Sequence, residues 1–171
     1  MHVRYSIALS AAALGAPALA ADLAVGVEVP RLTVAEYHRP YVAMWVERAD
    51  QGVAANLAVW YATAKKDGEG AKWLKDMRQW WRRSGRELQV PADGLTSATR
   101  PVGKHKLSFS DSAKPLGKLA PGDYKLVVEA ARESGGRELL SIPFQWPPAK
   151  AQQLSAQGSS ELGEVTLELK P

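Results

Sequence analysis

The 171-residue chain has no cysteine, two phenylalanines and three histidines. The missing thiol excludes disulfides, thiolate nucleophiles, iron–sulfur ligands, cysteine-based zinc sites and an acylated cysteine. Beyond the N-terminal stretch only His38 and His105 remain, 67 positions apart. Neither belongs to a metal-ligand spacing, and each reads as a structural or surface histidine. No G-x-S-x-G, Walker or dinucleotide-type glycine pattern occurs, and Gly68-Glu69-Gly70 imitates an anion-binding entry only crudely. Ser97 or Thr99 with His105 fits no nucleophile elbow. The expectation is a protein that is not an enzyme and holds no metal.

What is present begins with a leader. MHVRYSIALSAAALGAPALA has a cationic start at Arg4, an apolar run from Ile7 to Leu14 and a small-residue site at Ala18-Leu19-Ala20. It reads as a secretory signal peptide at residues 1–20, too short and too broken by Gly15 and Pro17 to anchor in a bilayer. Cleavage removes one charge, Arg4, and takes the net charge from +4 to +3. No later apolar stretch is long enough to span a membrane, so the expected product is a periplasmic domain at residues 21–171. Secretion disfavours nucleic acid as a partner.

Residues 22–30 alternate Leu23, Val25, Val27 and Val29 with Ala24, Gly26 and Glu28, the period of a half-buried strand. Similar alternation runs through 41–47, 54–61, 105–109, 124–130, 138–146 and 165–169, with turn residues between. The polar stretch 147–160 has the composition of an exposed excursion. Seven to eight short strands without a βαβ repeat predict an all-β, immunoglobulin-like antiparallel sandwich. One segment breaks the period. Trp73, Leu74, Met77, Trp80 and Trp81 form an apolar stripe at helical spacing, which predicts an inserted amphipathic helix at about 71–83.

That helix also carries the charge. Residues 65–87 hold eight cations against four acids, so the whole positive excess is local and the rest of the secreted chain is slightly acidic. Two readings stand. The basic side is a solvated face, or Trp73, Trp80, Trp81, Arg78, Arg82 and Arg83 form a binding face for an acidic partner or an anionic membrane surface.

A second candidate is the stretch Asp93-Gly94-Leu95-Thr96-Ser97-Ala98-Thr99, read as a loop between Pro91 and Pro101. Its residues are ordinary turn chemistry. Their order also resembles the D-x-x-[S/T]-G-A-[S/T] sequence of bacterial secreted proteins that receive FMN through a phosphoester on the last hydroxyl. That resemblance implies Thr99 as acceptor, Thr96, Ser97 and Ala98 as small neighbours, Asp93 as the preceding acid and basic residues such as Arg100, Lys104 or Arg78 beside the phosphate. Trp80, Trp81 or nearby tyrosines would cover the flavin. Ser97 departs from the pattern's glycine.

Longer segments resemble one family. YHRPYVAMWVERAD (37–50), LAVW (57–60), KWLKDMRQWWR (72–82), DGLTSATRPVGKHKLSF (93–109), LAPGDYKLVVEAARE (119–133) and GGRELLSIPFQW (135–146) are similar to the predicted periplasmic proteins grouped as domain of unknown function 2271. Residues 105–128, through Pro121-Gly122-Asp123-Tyr124, also resemble the immunoglobulin-like domain of flagellar hook-capping proteins. The first resemblance implies company with flavin transferases and PepSY-type membrane reductases. The expectation is an accessory protein of a membrane flavin- or iron-linked redox system, carrying FMN on Thr99. Its alternative is a cofactor-free adaptor that docks a partner or membrane through the tryptophan-rich helix.

Overall fold

The computed structural model describes residues 20–117 and 119–171. The leader expected at residues 1–20 therefore lies, Ala20 apart, outside the described residues. Among the described residues nine strands form: β1 (Asp22–Val29), β2 (Tyr41–Arg48), β3 (Val53–Tyr61), β4 (Thr96–Ala98), β5 (Gly103–Ser110), β6 (Gly122–Ala131), β7 (Arg137–Trp146), β8 (Gln152–Gln157) and β9 (Glu164–Lys170). They build a four-stranded sheet in the order β5-β1-β9-β8 and a five-stranded sheet in the order β4-β3-β2-β6-β7. The expected β-sandwich is found.

Alternation sets the registers. Leu23, Val25, Val27 and Val29 of β1 are buried against Val42, Met44 and Val46 of β2, Leu57 and Trp60 of β3, Leu126 and Val128 of β6, and Leu167 of β9. Each such side chain gains about 1.5–3 kcal/mol from leaving water. Tyr124, the end of the Pro121-Gly122-Asp123-Tyr124 turn, donates its hydroxyl to the carbonyl of Ala120 at 2.7 Å. A tyrosine tied back to the preceding corner is a recurrent device of sandwich folds.

Two strands lie outside the seven recognised by alternation. The polar stretch 147–160 is not a mere excursion: it contains β8, whose Leu154 and Ala156 are only half-buried and give a faint period. Thr96–Ala98 is not loop but a short strand parallel to β3, with Thr96 beside Val59, Ser97 beside Trp60 and Ala98 beside Tyr61. Backbone pairing holds it, and that leaves no pattern in side-chain type.

The β6–β7 hairpin ties the layers together. Arg132, past the end of β6, donates Nε to Glu161 Oε2 at 2.8 Å and Nη2 to Glu161 Oε1 at 3.2 Å, with both side chains buried. Glu138 on β7 accepts the backbone amides of Ser159 at 2.7 Å, Ser160 at 3.0 Å and Leu162 at 2.8 Å. These bonds close the β8–β9 loop onto the opposite sheet.

The pH response follows from Glu138. Partial burial raises its pKa, but the three amides and the Ser159 hydroxyl outweigh it and hold the group at about 2 against an ordinary 4.5. The stabilisation is complete above pH 4.5 and is lost as pH falls towards 2. For this partly exposed group it amounts to about 1–2 kcal/mol after solvent screening. Glu138→Gln should lower stability by that amount at pH 7 and flatten the acid limb of a urea-unfolding series over the same window.

Candidate functional site

The segment 66–87 covers the outer face of the five-stranded sheet, but not as the single α-helix expected at 71–83. Lys66–Asp76 runs as 3₁₀ turns interrupted by left-handed Asp67 and Gly68, and only α1 (Arg78–Arg83) is α-helical. Between them Met77, at φ −77° and ψ 74°, takes the inverse γ-turn conformation. In a 3₁₀ helix side chains three apart eclipse. The buried large side chains, one from the 3₁₀ segment, one from the turn and one from α1, are Leu74, Met77 and Trp80, packed on Ala43, Trp45, Val59, Tyr61, Val127 and Ala131.

This changes the expected binding face. Trp80 does not belong to it: the ring is completely buried and its indole N–H donates to Asn56 Oδ1 at 2.9 Å. Trp81 is half-buried, and its ring lies 6.3 Å from that of Trp80. Trp73 falls off the buried stripe and is 47% exposed. Arg78, Arg82 and Arg83 are all exposed, with Arg83 donating to the side chain of Gln51. Lys75 and Arg86 are exposed as well, and Lys72 pairs with Glu69 at 3.7 Å.

The short helix is held by a residue far away in sequence. Glu129 of β6, fully buried, accepts the amide of Gln79 on Oε1 at 3.1 Å and that of Trp80 on Oε2 at 2.7 Å. Arg137 of β7 donates Nη1 to the same Oε1 at 2.7 Å. The carboxylate thus satisfies the open N–H groups of a helix that has no side-chain cap of its own. Sequence reasoning missed this residue. Its signal is a carboxylate between Val127 and Ala131, on the face of β6 that would be wet in a two-layer sandwich.

Beside this cap lies a groove of about 650 Å³, lined by Tyr41, Trp73, Asp76, Arg78 and Arg137 and by the hairpin turn 132–136. That volume lies within the ordinary range for ligand sites, about 300–1,000 Å³. A second hollow, about 250 Å³ over Ala24 on the four-stranded sheet, is smaller than that range. Tyr41 donates its hydroxyl to the carbonyl of Gly70 at 3.0 Å, and burial raises its pKa. The groove is therefore fixed on both sides, by Tyr41 against the 3₁₀ segment and by Arg137 against Glu129.

The Asp93–Arg100 candidate sits apart, at the opposite edge of the same sheet from β7. Thr96 Oγ1 accepts the amide of Ala92 at 2.9 Å and donates to its carbonyl at 3.1 Å, so this hydroxyl is engaged in the turn. Asp93 and Gly94 are exposed, Ser97 and Thr99 are half-buried, and the Thr99 amide donates to the carbonyl of Tyr61 at 3.2 Å. Arg100 stands 5.4 Å from the centre of the Trp60 ring, and His105 meets the same ring edge-on at 5.7 Å. Thr99 is followed directly in sequence by Arg100, whose guanidinium lies over Trp60. The expected cover does not fit on the Trp80 side, since that ring is sealed in the outer core, and Arg78 faces the groove instead. Among the described residues no group of three or more His, Asp or Glu side chains is placed to hold a metal ion.

The cap and the exposed indole separate by stability. Glu129→Gln, which turns a charged acceptor for two amides into a neutral one, should cost about 2–4 kcal/mol in urea unfolding and speed hydrogen exchange at Gln79 and Trp80. Trp73→Ala should stay within about 0.5 kcal/mol of the parent.

No curated protein and no solved structure matches the chain significantly. A family description does, that of predicted periplasmic proteins sharing domain of unknown function 2271, and it matches residues 22–164. It accords with the periplasmic location read from the leader, and no helix among the described residues is long and apolar enough to cross a membrane. With β1 through the start of β9 inside the matched range, the chain belongs to the DUF2271 family of predicted periplasmic proteins.

Proposed function

We propose that this periplasmic protein is a non-enzymatic binding module, and that its working surface is the helical layer with the adjoining groove, which docks an acidic segment of a partner protein. The observation that carries the reading is the exposure of Lys75, Arg78, Arg82, Arg83 and Arg86 along the segment that carries Trp73, with Arg78 lining the groove beside that indole, while the apolar side of the same segment is spent on the sheet. An indole beside arginines suits a chain that brings carboxylates and an apolar anchor together. The groove's own acids, Asp76 and Glu133, favour a peptide over a simple polyanion. Glu133 already faces Lys65 at 3.6 Å and His38 at 3.8 Å.

A photo-crosslinking amino acid placed in the periplasmic protein at Trp73 or Arg82 should give one shared adduct. A probe at Ser108, on the other sheet, should give none. Arg78→Glu with Arg82→Glu should remove the adduct by more than about tenfold, since like charges facing an acidic partner cost several kcal/mol. Equal adducts at all three positions, or adducts indifferent to charge reversal, would overturn the reading. Anionic vesicles that protect the Trp73 probe without any protein adduct would point to a membrane instead.

A second reading, FMN esterified to Thr99, is favoured by one feature: Arg100 directly follows the acceptor and stands over Trp60 at the sheet edge. Bound FMN would supply electron transfer that no side chain of this cysteine-free protein offers. The protein would then serve a membrane flavin- or iron-linked redox system, with a flavin transferase and a PepSY-type membrane protein as partners. Intact mass after co-expression with a flavin transferase should show one added FMN, absent in Thr99→Ala. A bare mass with no visible absorbance removes this reading and leaves the first untouched.

A further inference from the structure

The two sheets present four edges. Three of them carry features that deter strand addition. β4 is only three residues long and is followed closely by Pro101. β5 exposes Lys104 and Lys106, and β7 has an exposed proline, Pro143, in mid-strand. Charges, prolines and shortness are the means by which proteins keep edges from pairing. β8 has no charge and no proline within the strand itself and is twice the length of β4, with Lys150 two residues before it. Its six residues, QQLSAQ, are uncharged and proline-free, and β9 takes only one of its two hydrogen-bonding sides.

We propose that β8 pairs antiparallel with β8 of a second copy of this chain, joining two four-stranded sheets into one of eight strands. A two-fold axis through the new seam must set outward side chains opposite outward side chains. Two registers do this symmetrically over five residues of the strand, centred on Leu154 or on Ser155; the pairing is assigned to the second, in which Ser155 faces Ser155, the glutamine amides of Gln153 and Gln157 face each other, and Leu154 faces Ala156 on the core side. Gln157 already donates Nε2 to the carbonyl of Gly158 at 3.2 Å, which leaves its Oε1 to accept from the opposing Gln153 amide.

No like charges meet across this seam. The nearest acids, Glu168 and Glu164, stand opposite Gln153 and Gln157 on β9. They are paired with Lys106 at 2.7 Å and Lys104 at 3.3 Å, both reaching across β1. A foreign strand would need its own matching pattern, whereas the run around Ser155 is its own complement. One six-residue strand pair buries less than the roughly 1,200 Å² of a stable interface, so the association is weak and reversible.

The absence of cysteine makes the test direct, because an engineered thiol is the only one in the chain. Opposed antiparallel positions have Cβ atoms about 4.5–5.5 Å apart, close to what a disulfide spans. Under mild oxidation Ser155→Cys should therefore dimerise about tenfold faster than Lys150→Cys, an exposed position just before the strand. Adding Gln153→Lys and Gln157→Lys, which set lysine against lysine, should bring the rate down to that of Lys150→Cys with an unchanged melting temperature. Equal rates at 155 and 150, or a rate that ignores the lysines, would overturn the proposal.

Discussion

The buried carboxylate of Glu129 decides whether the outer layer exists. A six-residue helix without a local cap does not hold together on its own, because nucleation costs more than so few hydrogen bonds return. What keeps α1 in place is tertiary: Leu74, Met77 and Trp80 on the sheet, and two amides that end on Glu129. Burying that carboxylate is costly by several kcal/mol unless it is fully bonded. Two N–H donors and the Arg137 guanidinium offset the cost, and they do so only when α1 lies where it does. The same bonds that hold the helix therefore fix which side of it faces water.

The rest of the site inherits its rigidity from the hairpin that carries Glu129. Within a few residues this hairpin also supplies Arg132 to Glu161, Arg137 to Glu129 and Glu138 to the loop after β8. It is thus bonded to the helical layer on one side and to the second sheet on the other. A groove floored by such an element is pre-organised, and little ordering entropy is left to lose on binding. Arg132 pays for its place: its Nη1 is buried with no hydrogen-bond partner among the described residues.

Legibility in the sequence followed the strength of each pattern. β1 and β9, with Val or Leu at every second position, are plain. So is the sandwich. The stripe locates the helical segment but not its winding, because Trp73, Leu74, Met77, Trp80 and Trp81 satisfy a 3.6-residue period and, with two members dropped, a period of three. Only the positive φ of Asp67 and the turn at Met77 choose between them, and neither residue type announces its conformation. A stronger clue lay in the sheet. β2, β3 and β6 place Ala43 and Trp45, Val59 and Tyr61, Val127 and Ala131 on the side away from the sandwich core. Strands apolar on both faces require a second cover, and the tryptophan-rich segment is what supplies it.

The candidate surfaces are also physically separable. The groove lies at the β6–β7 side of the five-stranded sheet, Thr99 follows β4 at its far edge, and β8 borders the other sheet altogether. No ion pair or side-chain hydrogen bond among the described residues links Arg78, Thr99 and Ser155. Substitutions at sites so far apart, with no shared partner, add rather than couple. Charge reversal on the helical layer, loss of the Thr99 hydroxyl and lysines on β8 therefore report on three different properties of one molecule. The reason lies in the fold: Glu129, Arg132 and Glu138 brace the layers from the hairpin, and none of the substituted positions takes part in that bracing.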